Sequence, residues 1–325
     1  VERYRLPLIP RPGTRAFARE ARRASNYSLF DFLHGYVYGR WIYTYIGIGL
    51  NRHPLARFVR PLVGWLGDRF PARSDDGREP LTFADTYHGK VMPLEAATQL
   101  VTVQEDIDLG DLEQTIPYAV ARDIVLQDPD HIVVVDCACR AARPDPCGPL
   151  DVCLVVGEPF ASFVAEHHPQ RSRWISQEEA VSILQDEQER GHVHHAFFKD
   201  AMFGRFYGIC NCCSCCCAAM GAWNRGSPML ASSGYVAVVD EDLCAACGLC
   251  ADYCQFEAIS VDNGSAIVDE AACMGCGVCV AKCTQEALSL VRDPSRGEPL
   301  EIRELIAAAD AAADAAADAA ASCTG

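Results

Sequence analysis

Cysteine is the residue whose number and spacing in this chain can do chemistry: there are 19 among 325 residues. Eight fall in two matched runs, Cys244-x2-Cys247-x2-Cys250-x3-Cys254 and Cys273-x2-Cys276-x2-Cys279-x3-Cys283. Three thiolates on one tight loop can hold three irons of a cubane, because two-residue gaps turn the chain around the cluster. The fourth thiolate, on the helix that leaves the loop, points to the other cluster. Gly248 and Gly275 or Gly277 let the backbone pass close to inorganic sulfide, where N–H groups can donate to it. A lone CxxC pair commonly means zinc. Two complete runs in tandem are far more specific and predict two [4Fe–4S] clusters.

Ten more cysteines lie upstream in two groups. Cys137, Cys139, Cys147 and Cys153 belong to "CACRAARPDPCGPLDVC"; Cys210, Cys212, Cys213, Cys215, Cys216 and Cys217 crowd into "CNCCSCCC". Adjacent residues point in different directions, so the six cannot all serve one cluster. Alternate members such as Cys210, Cys212 and Cys215 can. Three readings stand side by side: one or two further iron–sulfur clusters with ligands from both groups, a structural zinc knot, or free thiols, some buried and some redox active. A disulfide framework fits poorly. The cysteine count is odd, and neighbours such as Cys212 and Cys213 are badly placed to bridge without strain. Metal–thiolate chemistry in a reducing cytoplasm is the expectation.

The two runs sit in an internal repeat: "VVDEDLCAACGLCADYCQFEAISV" (238–261) aligns with "IVDEAACMGCGVCVAKCTQEALSL" (267–290) at a constant offset of 29. On these residues, 235–292 resembles the bacterial-type two-[4Fe–4S] ferredoxin domain. The resemblance implies that Cys244, Cys247, Cys250 and Cys283 hold one cluster, and that Cys273, Cys276, Cys279 and Cys254 hold the other. The family usually has proline after the fourth cysteine, where this chain has Gln255 and Thr284. "CACR" together with "CNCC" is similar to longer dicluster iron–sulfur proteins of anaerobes.

The elements that must position these thiols are legible in part. Each repeat copy reads strand, cysteine loop, short helix, strand, and is too small to bury much core without a staple. Within 81–234, "IPYAVARDIVLQ" (116–127) reads as a helix, while "HIVVV" (131–135) and "DVCLVV" (151–156) read as strands. "SQEEAVSILQDEQERG" (176–191) opens with Ser176 and Glu179 in capping-box spacing and closes on Gly191. "HVHHAFF" (192–198) follows as a strand. Its His192, His194 and His195 read as surface or half-buried strand histidines ahead of metal ligands. Arg140 can pair with an anionic cluster or with nearby acids.

The fold class that follows is α+β. A helical N-terminal arm (1–80) precedes a mixed α/β cysteine-rich domain (81–234), a ferredoxin-like domain (235–292) and an Ala/Asp-rich helical tail (293–325). "TRAFAREARRAS" (14–25) reads as a helix with Arg15, Arg19, Arg22 and Arg23 on a charged face. "PARSDDGREP" (71–80) reads as a boundary. Cys323, in the tail, reads as a spectator.

Charge is uneven. Residues 1–80 hold 14 of the 28 Lys/Arg but only 7 of the 44 Asp/Glu, against a formal net charge of −16 for the chain. An acidic body argues against nucleic acid as a partner. The basic N-terminal segment, with its aromatic stretch at 36–45, is expected to dock on an acidic partner, on anionic lipid or on the protein's own body. No GxGxxG after a strand, P-loop, HExxH or GxSxG is present. The expected function is one-electron transfer to a partner oxidoreductase, by a cytoplasmic carrier or accessory subunit, at most peripheral at the membrane. Alternatives are a reductase with a substrate-accessible upstream cluster, and a redox-sensing regulator that binds through 176–198.

Overall fold

The protein is described by a computed structural model that covers residues 11–24, 27–69, 83–110 and 112–322. The expected boundary at 71–80 and Cys323 lie outside the described residues. The N-terminal helices are α1 (Pro12–Arg23), α2 (Leu29–Arg40), α3 (Ile42–Gly49), α4 (Ala56–Arg69) and α5 (Phe83–Thr86). There follow β1 (Tyr87–Met92), α6 (Leu94–Val101), β2 (Ile107–Leu109), β3 (Ile124–Asp136), α7 (Ala138–Ala141), β4 (Asp151–Glu158) and α8 (Phe160–His167). Next come β5 (Ser172–Ile175), α9 (Gln177–Glu189), β6 (Val193–Lys199), β7 (Arg205–Cys212), α10 (Ala218–Trp223) and β8 (Leu230–Ala231). The repeat supplies β9 (Tyr235–Val239), α11 (Leu249–Asp252), β10 (Ile259–Asp262), β11 (Ser265–Val268), α12 (Val278–Lys282) and β12 (Leu288–Arg292), and α13 (Ile302–Ser322) ends the chain.

A mixed sheet of eight strands, in the order β2-β3-β4-β7-β6-β1-β8 with β5 also on β3, carries the upstream cysteines. All its named strand pairs are antiparallel except β1 with β8. The helix expected over 116–127 is not formed. Ala121 has a positive φ of 61°, and Ile124 and Leu126 are buried on alternate positions as the first residues of β3. Period two wins over composition there, because both side chains enter the core from one face of a strand.

Ser176 caps α9 by accepting from the Glu179 N–H (3.2 Å), while the Glu179 carboxylate turns to Arg173 (2.6 Å) instead of closing the expected box. Every residue of β6 is buried. The strand of the 176–198 unit is thus part of the core, while α9 keeps an exposed face with Glu178, Gln185 and Asp186. In the repeat, β9 pairs with β12 and β10 with β11, so the first strand of one copy meets the last strand of the other.

The N-terminal segment is no detached arm. Phe17 is fully buried, with ring centroids 4.7 Å from Phe203 and 5.0 Å from Phe163. Burial of such a side chain contributes roughly 1.5–3 kcal/mol. Glu20 accepts from Arg205 at 2.8 Å, and a Cβ on Gly35 would lie 2.1 Å from the Ala201 carbonyl oxygen. Arg15, Arg19, Arg22 and Arg23 stay exposed, as their spacing predicts. The outer side of α2 leaves Leu29, Phe30, Leu33 and Val37 exposed. At the other end, buried Leu300 and Ile302 anchor α13, whose later turns are solvated. No helix among the described residues is long and apolar enough to cross a membrane.

Candidate metal centres

The repeat builds two small cavities of the same design. Cys244, Cys247 and Cys250 line one together with Cys283 from the second copy; Cys273, Cys276 and Cys279 line the other together with Cys254 from the first. The pseudo-symmetry is carried by backbone. Gly248 and Gly277, 29 apart, have φ of 82° and 78° and start α11 and α12 from the left-handed region. Gly275 has a second reason to be glycine: a Cβ would sit 2.2 Å from the Tyr235 carbonyl oxygen.

Backbone N–H groups already face the sulfurs. Ala258 donates to Cys254 Sγ and Ala287 to Cys283 Sγ, each at 3.3 Å, and Ala266 donates to Cys244 Sγ at 3.4 Å. Backbone bonds from Ala246 and Ala266 hold the Cys244 thiol below its usual range. Burial pushes Cys276 up to about 12, so a metal held there would have to displace its proton. Thiolates around a cavity, with amides donating to sulfur, fit an iron–sulfur cubane.

Upstream, strand alternation splits the six-cysteine run. Cys210 and Cys212 point to one face of β7. Asn211 between them points to the other, donating to the Val152 carbonyl oxygen (2.7 Å) and meeting His194 Nδ1 (2.6 Å). The chain then turns, the Cys217 N–H bonding back to the Cys213 carbonyl oxygen at 3.0 Å, and Cys217 starts α10. Cys213, Cys215 and Cys216 are on that turn.

Those three meet Cys147. Its Sγ is 2.9 Å from Cys215, 3.3 Å from Cys216 and 3.8 Å from Cys213. All four sulfurs lie within 4.8 Å of one another, the one such group of potential metal ligands among the described residues. A tetrahedral ion with metal–sulfur bonds of about 2.3 Å sets its sulfurs about 3.8 Å apart, whereas cubane thiolates bind separate irons and stand wider. This quartet has the dimensions of a single-ion site.

The remaining six upstream thiols, Cys137, Cys139, Cys153, Cys210, Cys212 and Cys217, line one cavity, which Cys213 and Cys216 of the quartet also border. Cys217 lies there with Cys210 and Cys212, whereas the turn carries Cys215, one of the alternate members considered with them, outward to Cys147. Sheet register places Val135 opposite Cys153 and His195 opposite Cys210. Interactions with Cys139 and Cys153 hold Cys137 well below the usual thiol range, and those with Cys153 and Cys212 bring Cys210 to about 6.

Arg140 lies between the two thiol sets with about 1% exposure. Its guanidinium donates to Glu187 Oε2 (2.8 Å), the Asn211 carbonyl oxygen (3.0 Å) and the Pro149 carbonyl oxygen. Burial opposes its charge, but Glu187, Cys137 and Cys213 outweigh this and hold it fully protonated. The three histidines separate. His192 Nδ1 meets Glu187 (2.7 Å), His194 meets Asn211, and fully buried His195 has neither ring nitrogen hydrogen-bonded.

The departures from the ferredoxin pattern also have a place. Gln255 Nε2 donates to the Gly191 carbonyl oxygen at 3.0 Å, and Gln255 Oε1 accepts from the Ser214 N–H at 2.8 Å. Lys282 donates to the Glu189 carbonyl oxygen and stacks over Tyr253 at 4.7 Å. Proline could make neither glutamine bond. Sequence reasoning passed over Glu187, Tyr38, Tyr87 and Tyr207. Glu187, one acid among several on a polar helix, gave no signal; alternation in "RFYGICNC" was the available sign of β7 and hence of Tyr207.

The family model of the 4Fe-4S binding domain matches residues 237–260, the first copy of the repeat. The chain therefore contains a ferredoxin-type 4Fe-4S segment within a cysteine-rich protein. A search of curated proteins finds no match.

Proposed function

We propose that this protein is an iron–sulfur electron carrier or accessory subunit that relays single electrons through two [4Fe–4S] clusters toward upstream metal–thiolate centres. The carrying observation is that each repeat cavity is lined by three cysteines of one copy and one of the other. On this reading Cys244, Cys247, Cys250 and Cys283 hold the outer cluster, and Cys273, Cys276, Cys279 and Cys254 the inner one. The outer end is where a redox partner docks: Cys247 is exposed, as are Leu243, Leu249 and Val261 around it. Asp240, Glu241 and Asp242 nearby favour a partner with a basic rim.

From the inner cluster the bridge Cys254–Gln255–Ser214 leads to Cys213 and Cys215 on the single-ion quartet. Iron there would extend the relay, and zinc would only hold the turn. The acidic body disfavours the reduced, more negative clusters and so favours low potentials. The exposed apolar side of α2, flanked by basic residues, serves association with an acidic partner or the cytoplasmic face of a membrane.

A second reading has one observation behind it. The upstream thiols share one cavity with Tyr38, Tyr87 and Tyr207, which suits a reductase whose substrate reaches an upstream cluster. Iron and sulfide quantitation on anaerobically purified protein, with EPR after reduction, tests the first reading. About eight irons assigned to the repeat by its cysteine variants support it; stoichiometric zinc without charge-transfer absorption contradicts it.

A further inference from the structure

We propose that α2 and α4 seat this protein on an anionic lipid surface. The proposal rests on the association reading above, chooses lipid over protein as the occupant, and uses no metal–thiolate residue. Three observations carry it.

The first is an apolar face that packing cannot turn inward. Leu29, Leu33 and Val37 follow one another at four-residue spacing along α2 with Phe30 beside them, and all four are exposed, Phe30 by 75%. The inner side of α2 is pinned. Gly35 and Gly39 are buried there, and a Cβ on Gly39 would lie 2.8 Å from the Phe163 ring. Tyr38 on that side meets the Tyr207 hydroxyl at 2.8 Å. A helix that is apolar on both sides is built to be covered. The design recurs at α4, where Ala56 is buried while Leu55, Phe58 and Leu62, three and four residues apart, are exposed.

The second is charge. No Asp or Glu occurs between Asp31 and Asp68, although the chain holds 44 of them. Asp31 itself is committed to the α2 cap, where its Oδ2 accepts from the Ser28 N–H at 2.9 Å. The same stretch carries exposed Arg52, Arg57 and Arg60. Arg57 lies over the exposed Phe58 ring at 4.6 Å, so cation and apolar ring are presented together. A bilayer interface answers both, with phosphate for the guanidinium and acyl chain for the ring. The acidic remainder of the protein is repelled by that surface, which fixes the orientation.

The third is that the stripes lie on separate helices. A fluid surface adapts to both without matching a shape, and exposed Trp41, between them in the chain, is a residue type of the bilayer interface. At 12 and 14 residues α2 and α4 do not span, so they lie in the plane of the headgroups. The helix that joins them, α3, contributes Ile42 and Ile46 to the cavity lined by the upstream thiols. Seating therefore turns that cavity toward the lipid.

The test is flotation of full-length, anaerobically purified protein with vesicles of phosphatidylcholine alone or mixed with phosphatidylglycerol, at low and high salt. Wild type should float with the mixed vesicles, stay behind with the neutral ones, and detach as salt rises. Arg57→Gln/Arg60→Gln should weaken binding about 25-fold, at about fivefold per arginine. Phe30→Ser/Phe58→Ser should abolish it, and both variants should keep wild-type iron and EPR signals. Wild type that ignores the mixed vesicles, or floats equally with the neutral ones, overturns the proposal, as does either variant binding like wild type. If wild type instead sediments as a dimer that Phe30→Ser/Phe58→Ser splits, the face belongs to a second copy. Should a variant lose its iron, the lipid and salt dependence of wild type decides. Vesicle binding by a chain that shows no cluster EPR signal after reduction would end the electron-carrier reading and leave this one standing.

Discussion

Gln255 Oε1 accepts the backbone N–H of Ser214 at 2.8 Å, and this bond joins the residue after the ferredoxin-type run to the middle of the six-cysteine run. It also ties the residue after Cys254, on the inner cavity, to the turn that carries Cys213 and Cys215 of the quartet. Replacing Gln255 with Ala removes this bond and the one to Gly191. Each is worth about 0.5–1.5 kcal/mol, so anaerobic thermal unfolding should show a loss of about 1–3 kcal/mol. Iron content should be unchanged, and electron equilibration between repeat and upstream centres should slow. Unchanged kinetics would remove Gln255 from the route.

The Cys147 quartet should hold one ion. Cys215→Ala or Cys147→Ala is expected to lose one equivalent of zinc or iron by elemental analysis, with the repeat's iron retained. Loss of four irons would instead make it a cubane site.

Glu187→Gln tests the buried Arg140 cation. The guanidinium keeps its carbonyl partners but loses the Glu187 carboxylate charge 2.8 Å away. Breaking a buried pair costs about 3–5 kcal/mol, so the variant should unfold at markedly lower temperature or denaturant. A change under about 1 kcal/mol would mean that Arg140 is neutralised elsewhere.

Acid should loosen the junction of α1 and α8. Burial, then Arg40 and Arg11, pushes His167 from 6.5 down to about 3, and its Nε2 meets Thr14 Oγ1 at 2.9 Å. The unfolded chain therefore binds a proton that the folded one refuses. Stability is full above about pH 6.5 and falls as pH drops toward 3. In anaerobic unfolding against pH, His167→Gln should flatten part of this slope, and an unchanged slope would assign it to other groups.

The N-terminal surface is checked by Leu29→Ser/Phe30→Ser/Leu33→Ser, three exposed positions on α2. Iron content should stay, while binding to anionic vesicles or to the redox partner weakens. Binding equal to wild type would mean that this face has another occupant.

The sequence displayed some of this and hid the rest for physical reasons. The repeat was readable because cysteine loops of fixed spacing repeat a backbone, down to the matched turns at Gly248 and Gly277. The division of labour among Cys210 to Cys217 was half readable. Alternation separates Cys210 and Cys212 from their neighbours, but only the fold of the chain after β7 shows that Cys217 returns and Cys215 does not. The 116–127 segment misled because its composition is helical while Ile124 and Leu126 are placed by strand pairing. Gln255 read as a lost proline, since a side chain that bridges distant segments has no local signature.

The central claim is crossed ligation in the repeat, and EPR of the reduced, anaerobically purified chain carrying single cysteine substitutions tests it most directly. Cys250→Ala and Cys283→Ala should alter the same cluster signal, and Cys254→Ala and Cys279→Ala the other. If Cys250→Ala and Cys254→Ala perturb one and the same cluster, each run holds its own and the account is wrong.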